Sequence, residues 1–204
     1  MKILQVNGSA RTQGAHSTTI AHRISQRLLQ EQPHAQLEVL DLSTHPVPVF
    51  DDNAIQALFT PANARSTAQQ QRAAQSLALV EQLRNADVLV LGVPMYNFGI
   101  SSQLKDWIDN VSINQETFRY TPNGPEGLLK NKRALVGFAR GGLYRGTEAD
   151  TQTPYFKAWL KFIGIEDVQF IYAEGLNMGE EANAAGFATA EQDLNSALER
   201  FQTT

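Results

Sequence analysis

Apolar and polar positions along this chain alternate between two periods. Short apolar runs, continuous or alternating, read as strands, and longer stretches with apolar residues three and four apart read as helices. The first strand is Lys2–Asn7, and a helix begins near Ser17 with Ile20, Ile24 and Leu28 along one face until Pro33. Residues 37–42 form a second, alternating strand. An irregular stretch through Pro46, Pro48 and Asp51 then leads into helical sequence over residues 61–84. Residues 88–91 are an unbroken apolar run between Asp87 and Gly92, the pattern of a central strand covered on both faces. Pro94 ends it, and Leu104, Trp107, Ile108 and Val111 then mark the stripe of a further helix.

Residues 114–130 surround a turn-rich Pro-Asn-Gly-Pro core, predicting a short hairpin or extended loop inserted before the fourth strand at residues 133–139. The next helix has Thr153 as N-cap, Pro154 as first residue and Gly164 as stop, with Phe156, Trp159, Leu160 and Ile163 on one face. A fifth strand covers residues 168–173. The last helix opens with a capping box from Thr189 to Gln192 and buries Leu194, Ala197, Leu198 and Phe201. Strands alternating with helices predict one α/β domain over residues 1–204, a doubly wound five-stranded parallel sheet of flavodoxin-like order 2-1-3-4-5 with helices on both faces. In such a sheet ligands sit beyond the carboxyl ends of the strands, near the reversal of strand order. The informative loops therefore follow the first, third and fourth strands.

Composition narrows the chemistry. With 17 basic and 21 acidic residues the net charge is −4, which gives no footprint for nucleic acid or an anionic membrane. The N-terminal segment turns polar after six residues, and no run approaches the roughly 18–20 apolar residues of a membrane span, so a cytoplasmic protein is expected. Cysteine is absent, which removes thiolate chemistry and disulfides and assigns any redox chemistry to a bound cofactor. His16, His22, His34 and His45 lack metal-ligand spacing and read as surface residues, so no metal is expected.

The first loop, residues 8–17, leaves a strand and enters a helix, so backbone N–H groups and the positive helix end face outward, with Ser9 and Ser17 adding hydroxyls. It has neither GxGxxG nor GK[ST], which leaves a monophosphate as the natural ligand, or else an ordinary loop with Ser17 as a plain N-cap. After the third strand, Met95, Tyr96, Asn97, Phe98 and Gly99 offer flat apolar surface, one amide and close backbone approach, the requirements of a planar cofactor with hydrogen-bonding edges. Met95 serves equally as core. Arg140-Gly141-Gly142 presents backbone amides of the kind a flavin carbonyl edge requires, or is simply a turn. Tyr120 and Phe162 read as core or as pocket walls.

GSAR at residues 8–11, PMYNF at 94–98, RGG at 140–142, and TPYFKAWLKFIGI with FIYAEG across 153–175 closely resemble the FMN-dependent NADH-azoreductase family, with the wider NAD(P)H quinone reductases of flavodoxin-like fold. The resemblance covers essentially the whole chain. It implies that Ser9, Arg11, Ala15, His16 and Ser17 hold the FMN phosphate. It likewise assigns Pro94, Met95, Tyr96, Asn97 and Phe98 to the ring and ribityl chain, and Ala139, Arg140, Gly141 and Gly142 to the pyrimidine edge. Asn97, Tyr120 and Phe162 would shape the reaction face. The implied activity is ping-pong two-electron hydride transfer from NADH or NADPH, through tightly bound FMN, to a quinone or azo acceptor, in a homodimer with FMN near the interface. Ala139 and Ala15-His16 depart from the serines common in the family, and His16 is a substitute phosphate donor. The rivals are a flavodoxin-like electron carrier or flavin-binding regulator without turnover, and a hydrolase using Ser9, which lacks a GxSxG elbow.

Overall fold

The computed structural model describes the backbone of residues 1–202 and the side chains of residues 1–200. Five parallel strands form the central sheet: β1 (Lys2–Asn7), β2 (Gln36–Asp41), β3 (Val88–Pro94), β6 (Arg133–Ala139) and β7 (Asp167–Ala173), in the order β2-β1-β3-β6-β7. β4 (Phe118–Thr121) and β5 (Gly124–Gly127) pair antiparallel as a separate hairpin around Pro122 and Asn123, as the turn-rich core predicts. Counting only the parallel strands, the order is the expected 2-1-3-4-5.

The pleat of β3 divides the core. Val88 and Val90 join Ile3, Leu135 and Ile171 on one face, beneath α1 (His16–Glu31) and α6 (Glu180–Gln202). Leu89, Leu91 and Val93 point the other way, toward α3 (Thr67–Asn85), α4 (Ser102–Val111) and α5 (Gln152–Ile163), whose Leu83, Trp107 and Phe156 are fully buried. All seven β3 residues are buried, which is why that strand reads as a continuous apolar run. Among the described residues no helix is long and apolar enough to cross a membrane.

Several boundaries differ from the sequence pattern for local reasons. The irregular stretch holds a helix, α2 (Asp52–Phe59), whose N-cap Asp51 accepts a hydrogen bond from the Ala54 amide at 3.0 Å. The helical sequence over 61–84 splits into a 3₁₀ turn at Ala62–Ala64 and α3, which opens with a capping box between Ser66 and Gln69. Thr153 does not cap α5. The helix begins at Gln152, and the Asp150 carboxylate takes the Thr153 amide at 3.1 Å. α6 begins at Glu180, after Gly179 at φ 100°, so the expected capping box falls inside the helix; Thr189 donates back to the Ala185 carbonyl at 3.0 Å. Two acidic residues in the first turn of α6 favour the earlier start. Leu194, Ala197 and Leu198 are buried as expected, whereas the Phe201 side chain lies outside the described residues.

α1 lies close against β3 because Gly92 has no side chain. A Cβ there would come within 2.7 Å of the Ser17 carbonyl oxygen and 3.0 Å of the Ala21 Cβ. Backbone cannot yield as a side-chain tip can, so Gly92→Ala is expected to lower stability by about 1–3 kcal/mol. Urea denaturation of the variant against the parent protein checks this.

Candidate functional site

The carboxyl ends of β1, β3 and β6 open into a shared cleft. Ser9, Arg11, Ala15, His16 and Ser17 line it from the first loop and α1; Pro94, Met95 and Tyr96 line it from the end of β3; Ala139, Arg140 and Gly141 complete it from β6. Eleven residues far apart in the chain thus meet as the sequence motifs imply. Among the described residues no carboxylate lines this cleft.

One end of the cleft is built for an anion. α1 starts at His16 with Ala15 as N-cap, so no side chain caps it, and no acidic residue occupies its first turn. Its leading N–H groups therefore keep the positive helix end available. Ser17 is 1% exposed and its hydroxyl has no hydrogen-bond partner, a costly state for a buried polar group. Ser17 is thus not the N-cap. The Ser9 hydroxyl, also buried, lies 3.1 Å from the Tyr96 hydroxyl and accepts the Arg11 amide at 3.0 Å. Neither partner is an imidazole, so the Ser–His pair that the nucleophile reading needs is not formed at Ser9 among the described residues.

The wall from β3 ends in a tight turn. Tyr96 and Gly99 exchange backbone hydrogen bonds at 3.0 and 2.9 Å, with Asn97 at φ 48° and Phe98 at φ 66° between them. Two consecutive left-handed residues match the geometry of a type I′ turn, which suits asparagine and strains phenylalanine. The turn lifts Asn97 and Phe98 out of the cleft lining; Phe98 is 54% exposed and its ring meets Tyr144 edge to face at 5.8 Å.

The wall from β6 is organised by the Arg140 guanidinium, which points into the protein and is completely buried. Nη2 donates to Asp150 at 2.8 Å, Nη1 to Glu174 at 3.0 Å, and Nε to the Gln152 side-chain oxygen at 3.0 Å, while the rings of Phe138 and Tyr172 flank it. Burial pushes the Asp150 carboxyl up, but hydrogen bonds from Arg140 and Thr153 and the guanidinium charge outweigh it and hold the carboxyl below its ordinary range. Glu174 also accepts the Tyr144 and Arg145 amides, both at 3.0 Å. Arg140 therefore reaches the cleft without offering it a free charge. The N–H groups of Gly141 and Gly142 have no protein partner among the described residues, whereas their carbonyls accept from Asn177 and Gly175.

A model of the flavodoxin-like fold matches residues 1–198. The chain belongs to the flavodoxin-like family. Among its relatives, the FMN-dependent NADH:quinone oxidoreductase of Dechloromonas aromatica is 52% identical over 198 residues, 97% of this chain and 100% of that protein. The protein of the same name from Aromatoleum aromaticum is 50% identical with the same coverage. Solved flavodoxin-like neighbours include the FMN-dependent NADH-azoreductase of Bacillus anthracis str. Ames Ancestor in complex with FMN. It is 26% identical with a TM-score of 0.81, covering 98% of this chain and 99% of that one. Azoreductase AzrA shares the fold at a TM-score of 0.87 and 24% identity, covering 97% and 99%.

Two expected site residues lie elsewhere in this flavodoxin-like chain. Tyr120 on β4 is 70% exposed in a surface groove with Phe59, and Phe162 near the end of α5 packs against Phe118 at 4.2 Å between ring centres. Neither lines the cleft of its own chain, because the hairpin carries Tyr120 outward. Gly142 sits just beyond the lining, where a Cβ would meet the Tyr144 ring at 2.8–3.2 Å. Conversely, Leu176 and Asn177 do line the cleft, and the Asn177 side chain occupies the space a Cβ on Gly141 would need, at 2.6 Å. The only signal for them was the AEG segment that precedes them.

Replacing Arg140 by methionine strands two half-buried carboxylates, so a loss of about 2–4 kcal/mol at neutral pH is expected, below the full figure for a wholly buried pair. The lowered Asp150 carboxyl stabilises the fold above its unfolded value, and that contribution is lost as pH falls through its folded value. Without the cation the carboxyl rises and protonates readily, so the deficit of the variant shrinks on acidification. Denaturation measured across the acid range checks both sign and size; a constant deficit would refute this assignment.

Proposed function

We propose that this chain is an FMN-dependent NADH:quinone oxidoreductase, with azo compounds as further acceptors and a ping-pong alternation of donor and acceptor in one pocket. The observation that carries the reading is the buried, unpartnered Ser17 hydroxyl beside the uncapped start of α1, in a cleft free of carboxylates. A phosphate monoester satisfies all of these groups at once. The relatives support it, since those named above match this chain over nearly its full length.

The residues present fit FMN. Ser9, Arg11, His16 and Ser17, with the backbone at Ala15, hold the phosphate. Tyr96 joins that end through Ser9, which makes up for the missing serine side chain at Ala15. Pro94 and Met95 face the ring and ribityl chain, with Asn97 and Phe98 on the turn at the rim of the cleft, and the unused amides of Gly141 and Gly142 meet the pyrimidine edge, so an alanine at position 139 removes a hydroxyl and leaves the main donors. FMN, when bound, supplies two-electron hydride chemistry. The protein orients donor and acceptor, excludes water, and offers preorganised backbone donors where negative charge develops. The reading includes a cytoplasmic location, which a nicotinamide donor suits.

The active form on this reading is a homodimer. Tyr120 and Phe59 are 70% and 82% exposed, side by side on one face, an expensive arrangement for a lone chain. A second copy covering that face also explains the reaction-face roles of Tyr120 and Phe162, each serving a cleft other than its own. Light scattering on an eluting peak is expected to give twice the 22.5 kDa chain mass, and a particle of one chain mass at micromolar concentration would remove the dimer.

Protein loaded with FMN and freed of excess is expected to keep its flavin bands, to bleach under anaerobic NADH, and to recover them with benzoquinone. Flavin that stays oxidised with both NADH and NADPH would instead support an electron carrier or regulator. Ser17→Ala separates cofactor binding from folding. FMN affinity is expected to fall about five- to tenfold, while the apo protein becomes more stable by about 1 kcal/mol, because a buried unsatisfied hydroxyl is removed. Fluorescence titration and thermal melting read the two effects.

A further inference from the structure

We propose that Gln152 is a positioning residue that ties the two walls of the cleft to each other and thereby sets how firmly the flavin ring is held. The inference rests on the functional reading above. Gln152 is 1% exposed and does not line the cleft. Its side-chain oxygen accepts from Arg140 Nε at 3.0 Å, and its side-chain nitrogen donates to the carbonyls of Pro94 at 2.8 Å and Gly99 at 3.0 Å. A guanidinium only donates and a carbonyl only accepts, so the orientation of the amide is fixed by its partners. For the same reason no carboxylate or ammonium can replace it. Glutamate keeps the bond to Arg140 and loses both loop bonds; lysine does the reverse.

Pro94 and Gly99 bracket the strained turn that carries Met95, Tyr96, Asn97 and Phe98. Residues in the left-handed region persist only where their surroundings hold them there. Gln152 grips both ends of this turn, and the neighbouring Thr151 hydroxyl donates to the Phe98 carbonyl between them. On the other wall, Arg140 leads directly into Gly141, whose amide has no protein partner among the described residues. The β3–β6 ladder, extended by the bond from the Met95 amide to the Ala139 carbonyl at 3.0 Å, also joins the walls, but it ends at the root of the turn and leaves the tip to side-chain contacts. The distance between the turn and the Gly141 amide therefore depends on a buried amide outside the cleft, which alone bonds to both ends of the turn and to Arg140, alongside the Thr151 bond and the Phe98–Tyr144 contact at the tip.

The test is a titration of the apo protein with FMN and, separately, with riboflavin, followed by flavin fluorescence, for the parent, Gln152→Met and Gln152→Glu. Thermal melting without flavin runs in parallel. Both variants are expected to raise the FMN Kd about tenfold, as the loss of two buried hydrogen bonds implies. The riboflavin Kd should rise by the same factor, because the phosphate seat is untouched. Gln152→Glu should melt closer to the parent than Gln152→Met while binding no better, since it keeps the Arg140 contact. An unchanged FMN Kd in the two variants would overturn the inference, as would a weakening in Gln152→Met that Gln152→Glu fully restores. Parent protein that takes up no FMN would overturn the functional reading and this inference with it.

Discussion

The buried Arg140 guanidinium is the interaction on which the site depends. It sits at the exit of β6 with zero side-chain exposure and engages two carboxylates and an amide drawn from two stretches of chain, Asp150 and Gln152 at the entry to α5 and Glu174 after β7. A desolvated cation is tolerated only when its donors are used, so these segments have one mutual arrangement. The loop after β6, the start of α5 and the strand end leading to Asn177 are thereby fixed together. The backbone completes the frame, with the Leu176 and Asn177 amides donating to the Arg140 and Gly141 carbonyls at 3.1 Å. A wall made chiefly of loop acquires the stiffness of the sheet beside it.

The two ends of the cleft are made differently. At the anion seat the donors belong to a helix and a strand end, and their positions follow from regular geometry and the close approach of α1 at Gly92. At the ring end they belong to a turn and a loop held by side chains, and their positions follow from particular hydrogen bonds. Ser101 supports both. It donates to the Gly8 carbonyl at 2.6 Å and caps α4 by accepting the Leu104 amide at 3.1 Å, linking the exit of β1 to the helix that follows the aromatic turn.

What was legible in the sequence was whatever repeats or lies contiguous. The buried run of β3, the stripe of Leu104, Trp107, Ile108 and Val111, and the glycine stop of α5 declare themselves locally, and all are present. The motifs at residues 8–11, 94–98 and 140–142 announced the cleft, since ligand-facing backbone needs unusual residues in a row. Asp150 and Gln152 gave no such signal, and the FIYAEG segment marked Glu174 without its role, because these roles come from meeting Arg140 across the fold. α2 was missed for a related reason: eight residues are too few for periodicity to show, and its Asp51 cap was hidden among prolines. Thr189 misled because a capping box describes a helix start only where the chain before it is not already helical. Tyr120 and Phe162 carry a different lesson, since a resemblance can assign a residue to a site that the fold of the single chain does not bring it to.

The close contact at Gly92 has a thermodynamic meaning for ligand capture. Because α1 is seated on β3 with no room for even one more carbon, the anion seat is in place before anything arrives there. On the proposed reading, docking a phosphate there reorders little of α1, so more of the entropic penalty of complex formation falls on the ligand. The seat works as a fixed point about which the rest of a long, flexible molecule must find its place.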